Sequence, residues 1–251
     1  MRFANDVAIV TGGGQGIGLC LSQALAREGA KLVIADIDER AGQDAVNQIN
    51  GQGGQALFVP TDVSSESSTQ ALAKAALDTF GAIHILVNNA ALFRNLPLKP
   101  IEELPSAEWD RVMAVNLRGP FNTSKAVLPQ MKKQRRGKIV NISSNTVFSG
   151  GPGMSHYVAS KAGVIGFTRS LAREVGAAGI CANVITPGLT DNEAAQSIIS
   201  PERFDMVTGL RSIGRHQTPE DLVGAVLFLC SGASDFITGQ VLNVDGGQIF
   251  Y

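Results

Sequence analysis

Short apolar runs alternate with longer amphipathic stretches along the whole chain. Residues 7–10, 31–35, 56–59, 83–87, 138–142, 180–185 and 240–244 predict seven strands. Most are rich in Val, Ile and Leu without in–out alternation, which marks strands covered on both faces and hence a parallel sheet. Between them, 16–28, 39–50, 65–80, 106–133, 155–177 and 219–230 carry helical periodicity. Gly29, Gly51, Gly81 and Gly179 stand at the ends of such stretches, as helix-terminating glycines do. Strand–helix alternation throughout predicts one doubly wound α/β domain over residues 1–251. The least regular stretch, 188–217, reads as an insertion between the sixth strand and the last helix.

Composition narrows the partners. The 251 residues are 44% hydrophobic and 17% charged, enough for a sizeable core and unlike a disordered chain. A net charge of −1 gives no reason to expect nucleic acid or an anionic membrane. The basic run 132–136 falls where a helix should end and complements its dipole there. No signal-peptide pattern opens the chain, and no apolar run approaches the ~18 residues of a membrane span. Cys20, Cys181 and Cys230 are widely spaced in apolar contexts, which suits a reducing cytoplasm. His84, His156 and His216 form no ligand cluster, so no metal is expected.

The first predicted strand runs into Thr11-Gly12-Gly13-Gly14-Gln15-Gly16-Ile17-Gly18, and a helix follows. A glycine turn there brings backbone N–H groups to a pyrophosphate at the helix N-terminus, with Gly12, Gln15, Gly16, Ile17 and Gly18 as candidate contacts. Asp36 ends strand two, where a carboxylate accepts from ribose hydroxyls and repels a 2′-phosphate. Its plainer reading is a helix N-cap. Gln15 supplies no cation and Arg40 is the nearest one, so NAD is expected over NADP. Asp62-Val63 and Asn88-Asn89 follow strands three and four, where open α/β sheets bind ligands or where turns are simply made.

Tyr157 and Lys161 lie four apart, on one face of a helix. An ammonium beside a phenol favours the phenolate, and a tyrosine tuned from ~10 toward neutrality exchanges protons with an alcohol or carbonyl. Ser144, thirteen residues before Tyr157, offers a hydroxyl at a strand end for the same substrate oxygen. Pro120 lacks the N–H that would bond the Asn116 carbonyl, freeing it to hold a water or merely kinking the helix.

Thr11-Gly12-x3-Gly16-x-Gly18, Asn88-Asn89-Ala90, Asn116, Ser144, Tyr157-x3-Lys161 and Pro187-Gly188 together resemble, in order and spacing, the short-chain dehydrogenase/reductase family over nearly the whole chain. The resemblance implies a Rossmann-type seven-stranded parallel sheet with helices on both faces, a nicotinamide cofactor and a homotetramer. By position it implies Tyr157 as general acid/base, Ser144 polarising the substrate oxygen, Lys161 lowering the tyrosine pKa and holding the nicotinamide ribose, and Asn116 anchoring a proton-relay water. Asn89, Pro187, Gly188 and Thr190 would meet the cofactor. Ala91 replaces a glycine found in many relatives, and Thr190 stands closer to Gly188 than in some. The expected reaction is hydride transfer between NAD(H) and a small secondary alcohol or ketone. A 3-oxoacyl-carrier-protein reductase using NADPH is the alternative, opposed by Gln15 and Asp36. A non-catalytic NAD-binding sensor or scaffold is opposed by the presence of Ser144, Tyr157 and Lys161. Phe93, Val147, Phe148, Ile198, Ile199 and Met206 predict a mainly apolar cavity with Asn145 as one polar contact, while Arg94, Arg203, Arg211 and Arg215 read as surface or, alternatively, as contacts for an anionic substrate.

Overall fold

The computed structural model describes residues 1–250. Seven parallel strands form one sheet: β1 (Val7–Thr11), β2 (Lys31–Asp36), β3 (Gln55–Pro60), β4 (Ile85–Asn88), β5 (Gly137–Ile142), β6 (Ile180–Pro187) and β7 (Val241–Val244). Their order is β3-β2-β1-β4-β5-β6-β7. The chain therefore reverses its direction of travel between β1 and β4, where an open α/β sheet leaves a crevice at its C-terminal edge.

Successive side chains of a strand point to opposite faces. Ala8 and Val10 join Leu32 and Ile34 against α1 (Gly16–Arg27), α2 (Glu39–Gly51) and α10 (Glu220–Cys230), through Leu25, Ile49 and Val226. Val7 and Ile9 face the other way, onto α3 (Glu66–Phe80), α5 (Gly119–Gln134) and α7 (Ser155–Val175), through Leu72, Val127 and Leu171. Both faces are apolar, which is why the strand runs are continuous rather than alternating.

The stretch expected as one helix over 106–133 is divided. α4 (Ser106–Met113) passes through a π-helical turn, Ala114–Arg118, before α5 begins. The π-turn lies just before Pro120, which lacks the N–H that the Asn116 carbonyl would receive in an α-helix. Residues 188–217 are more regular than their sequence suggests: α8 (Glu193–Gln196) and α9 (Pro201–Gly209) start at Asn192 and Ser200, whose side chains accept from Ala195 and Arg203 N–H groups. A last short helix, α6 (Thr146–Ser149), lies between β5 and α7. Among the described residues no helix is long and apolar enough to cross a membrane.

A buried polar chain crosses the second face. The Thr123 hydroxyl donates to Asn88 Oδ1 (2.6 Å), Asn88 Nδ2 to Asn141 Oδ1 (2.8 Å), and Asn141 Nδ2 to the Thr168 hydroxyl (2.7 Å). It ties α5, β4, β5 and α7 with every amide partnered, as buried polar groups must be.

Candidate active site

Along the C-terminal edge of the sheet lies a cavity of about 790 Å³, a size typical of small-molecule and cofactor sites. At one end stands the glycine turn. Gly16 has φ +52°, a left-handed conformation that a side chain disfavours. Gly18, in the first turn of α1, lies so close to the glycine turn that a Cβ there would overlap the Gly12 carbonyl oxygen. The turn is strutted from β4: Thr11 Oγ1 accepts from the Asn89 and Ala90 N–H groups (3.0 and 3.1 Å), and Asn89 Nδ2 donates to the Thr11 and Gly12 carbonyls (both 3.1 Å). Gly12, Gln15, Gly16 and Ile17 line the cavity; Gly18 does not. Asn89 lines it too, with its amide nitrogen engaged by the turn.

Asp36 lines the cavity beside this turn, accepting at Oδ2 from Gly14 N–H (2.9 Å) and at Oδ1 from Asp38 N–H (3.1 Å). The helix cap is Asp38, which accepts from Ala41 N–H, so the simpler role considered for Asp36 belongs to its neighbour. Arg40 is almost fully exposed and faces Asp44 at 4.0 Å. Asp62 and Val63 line the cavity next. Asp62 Oδ1 takes two bonds from Ser64, so turn chemistry does hold part of that carboxylate. Asn88 is not a wall residue; it is enclosed in the polar chain. The cradle of N–H groups, the close glycine approach and the carboxylate fit a dinucleotide.

The reactive end collects Ser144, Tyr157 and Lys161, all buried and all lining the cavity. The Tyr157 ring packs at 5.1 Å between centroids on Phe93 and against Leu96, Val112 and Met154. Lys161 Nζ lies 5.7 Å from the Tyr157 ring centroid and donates to the Ile142 carbonyl (2.8 Å). The Tyr157 pKa departs from the expected lowering. Burial pushes the phenol up to about 12, outweighing its hydrogen bond with Ser144, while burial brings Lys161 down to about 8. Desolvation penalises both charged forms, and this ammonium points to a carbonyl rather than to the phenol.

Asn116 lies behind the wall. Its Oδ1 accepts from Leu92 N–H (2.7 Å), and its Nδ2 donates to the Leu92 carbonyl (3.3 Å) and to Ser160 Oγ (3.3 Å). Ser160 in turn donates to the Tyr157 carbonyl (2.7 Å), so this side chain joins the loop after β4 to the helix bearing Tyr157. Pro187, Gly188 and Thr190 line the cavity, and the Thr190 hydroxyl donates to the Gly188 carbonyl (3.1 Å).

The outer wall is partly as expected. Phe93, Ile198 and Ile199 line it, with Leu92 and Met154; Val147, Phe148 and Met206 do not. Arg94 pairs with Glu193 (2.7 Å), joining the loop after β4 to α8. Arg215 pairs with Asp221, Arg211 is buried and donates to the Leu189 carbonyl, and Arg203 stands at the cavity rim. Sequence reasoning missed Ser160, whose only signal was its place beside Lys161, and Gln248, a wall residue contributed by the C-terminal tail.

A family model described as enoyl-(acyl carrier protein) reductase matches residues 12–248. An uncharacterized oxidoreductase of Mycobacterium tuberculosis is 42% identical over 98% of both chains. The 3-oxoacyl-acyl-carrier-protein reductase of Chlamydia muridarum is 39% identical over 98% of both. A crystal structure of a candidate gluconate dehydrogenase from Agrobacterium tumefaciens superposes with a TM-score of 0.92 at 35% identity, covering 98% of this chain and 97% of that one.

Proposed function

This chain belongs to the short-chain dehydrogenase/reductase family of oxidoreductases, and we propose that it moves a hydride between NAD(H) and a small secondary alcohol or its ketone. The observation that carries this reading is the buried phenol of Tyr157 beside Ser144 and Lys161 at the inner end of the cavity. When bound, the nicotinamide gives or takes the hydride. Gly12, Gln15, Gly16, Ile17 and Gly18 would hold the pyrophosphate; Asp36 the adenosine ribose; Asp62 and Val63 the adenine; and Asn89, Pro187, Gly188 and Thr190 the nicotinamide end.

Ser144 and Tyr157 hold the substrate oxygen between two hydroxyls. With its pKa near 12 the phenol keeps its proton at neutral pH and donates it to a carbonyl oxygen. Lys161, a cation below about 8 and 5.7 Å from the ring centroid, is the charge near the phenolate left behind and would hold the nicotinamide ribose. Asn116 fixes the loop at Leu92, and its main chain anchors the water through which Lys161 recovers a proton.

The pH dependence follows from these directions. Lys161 is lowered from its ordinary value, so its charge is present below about 8 and lost as pH rises through it. Carbonyl reduction should hold steady from pH 6 to 7.5 and fall above about 8. Alcohol oxidation, which needs the phenolate, should rise across the same range. Initial rates in both directions from pH 6 to 10 test this; a reduction rate that climbs between pH 7 and 9 contradicts it.

The cofactor preference rests on Asp36, with Arg40 turned to Asp44. Wild type should favour NADH over NADPH by at least about 100-fold in kcat/KM, and Asp36→Ala should cost NADH about tenfold, the scale of a hydrogen bond to a charged group. A wild-type preference for NADPH would instead favour reduction of 3-oxoacyl thioesters, the activity in the name of the Chlamydia relative. We assign the enzyme to the cytoplasm, in keeping with its three free cysteines, and to a homotetramer, for which the exposed groove of Met113, Leu117, Phe121 and Phe167 offers an apolar surface.

A further inference from the structure

Asn145 follows Ser144 directly, and consecutive Cα atoms are only ~3.8 Å apart. Its buried side chain donates from Nδ2 to Asp245 Oδ2 (3.3 Å) and to Gln248 Oε1 (3.1 Å). The Asp245 carboxylate is filled from the other side by the N–H groups of Gly247, Gln248 and Ile249. Two amide atoms are left over. Asn145 Oδ1 and Gln248 Nε2 have no hydrogen-bond partner among the described residues, and both residues line the same cavity as Ser144 and Tyr157. An otherwise largely apolar wall thus carries one spare acceptor and one spare donor on two hydrogen-bonded amides.

A hydroxyl both donates and accepts, so it complements this pair. A carboxylate or phosphate does not: Asn145 offers it only an oxygen, and the buried Asp245 carboxylate behind the pair repels a second anion. We infer that Asn145 and Gln248 form a second polar subsite that binds a neutral hydroxyl on a carbon next to the reacting one. The preferred substrates are then vicinal hydroxyketones and diols rather than simple ketones, monoalcohols or keto acids. This rests on the proposed hydride transfer at Ser144 and Tyr157 and deepens it. Main-chain N–H groups of Gly247, Gln248 and Ile249 also hold the tail to Asp245, and these bonds remain when the Gln248 side chain is altered.

The test compares 3-hydroxy-2-butanone with 2-butanone under NADH. Wild type should prefer the hydroxyketone in kcat/KM by about tenfold or more, the scale of one or two hydrogen bonds. Gln248→Leu should bring that ratio down by about tenfold. A wild-type ratio near one, or a ratio unmoved by the substitution, overturns the subsite. Ligand-observed NMR of 2,3-butanediol against 2-butanol reads the same subsite without turnover. Preferential binding of the diol that Gln248→Leu abolishes upholds the subsite even where neither ketone is reduced, and that combination overturns the redox reading alone. Equal binding of diol and monoalcohol overturns the subsite whatever the turnover.

Discussion

Tyr157→Phe should lower kcat by about 10³-fold in both directions while leaving NADH affinity within about threefold. The estimate is the usual worth of a positioned general acid. The phenol oxygen is the only atom removed, and the ring keeps its packing on Phe93, Leu96, Val112 and Met154. Fold and dinucleotide site are therefore expected to survive. Ser144 stays in place to polarise a carbonyl in its proposed role, so the residual rate should exceed that of the uncatalysed reaction. Steady-state kinetics with a fluorescence titration of NADH check the result. A variant retaining more than about a tenth of wild-type kcat would remove Tyr157 from the chemistry.

Gly18→Ala should be the most damaging change at the other end. The added methyl would overlap the Gly12 carbonyl oxygen and lie 2.7 Å from Asn89 Nδ2. Both belong to backbone or to a strut, so neither can swing aside without breaking the bonds that Asn89 makes to the Thr11 and Gly12 carbonyls. Overpacking of this kind costs about 2 kcal/mol, which lowers Tm by roughly 4–8 °C in a chain of this length. Dinucleotide affinity should fall by at least about 100-fold, because the displaced N–H groups are those we propose to hold the pyrophosphate. Gly224→Ala is the control. It lies inside α10 with open space where its methyl would go, so it should leave affinity unchanged and Tm level or slightly raised. Equal loss in the two variants would refute the close-approach argument.

The sheet was legible because each strand is buried on both faces, leaving runs such as 7–10 and 31–35 with almost no polar interruption. Gly18 and the Tyr157–Lys161 pair were legible because local spacing alone determines their placement. What escaped depends on partners distant in sequence. The Tyr157 pKa turned the other way because burial, a property of the assembled wall, exceeds what a lysine directed at Ile142 contributes. Asp36 could be either helix cap or ribose ligand until the path of the chain after β2 gave the cap to Asp38. Asn88 stood between ligand contact and turn in the sequence, and it is neither: Asn141, 53 positions on, encloses it. Gln248 carried no signal, since a glutamine in a terminal tail is ordinary until the tail folds back over Asn145.

The strut from β4 to the glycine turn also sets an order of events during synthesis. β1, β2 and β3 leave the ribosome consecutively and sit together in the sheet, so they can pair as soon as they emerge. Thr11 nevertheless lacks its two donors until Asn89 and Ala90 have been made, some 80 residues later. Only then is the glycine turn held in its final shape. β4 next presents an open apolar edge until β5 closes it, and Ser144 and Tyr157 come later still. A nascent chain released near residue 90 would carry a formed nucleotide cradle beside an unpaired strand, the kind of intermediate that chaperones are needed to shield.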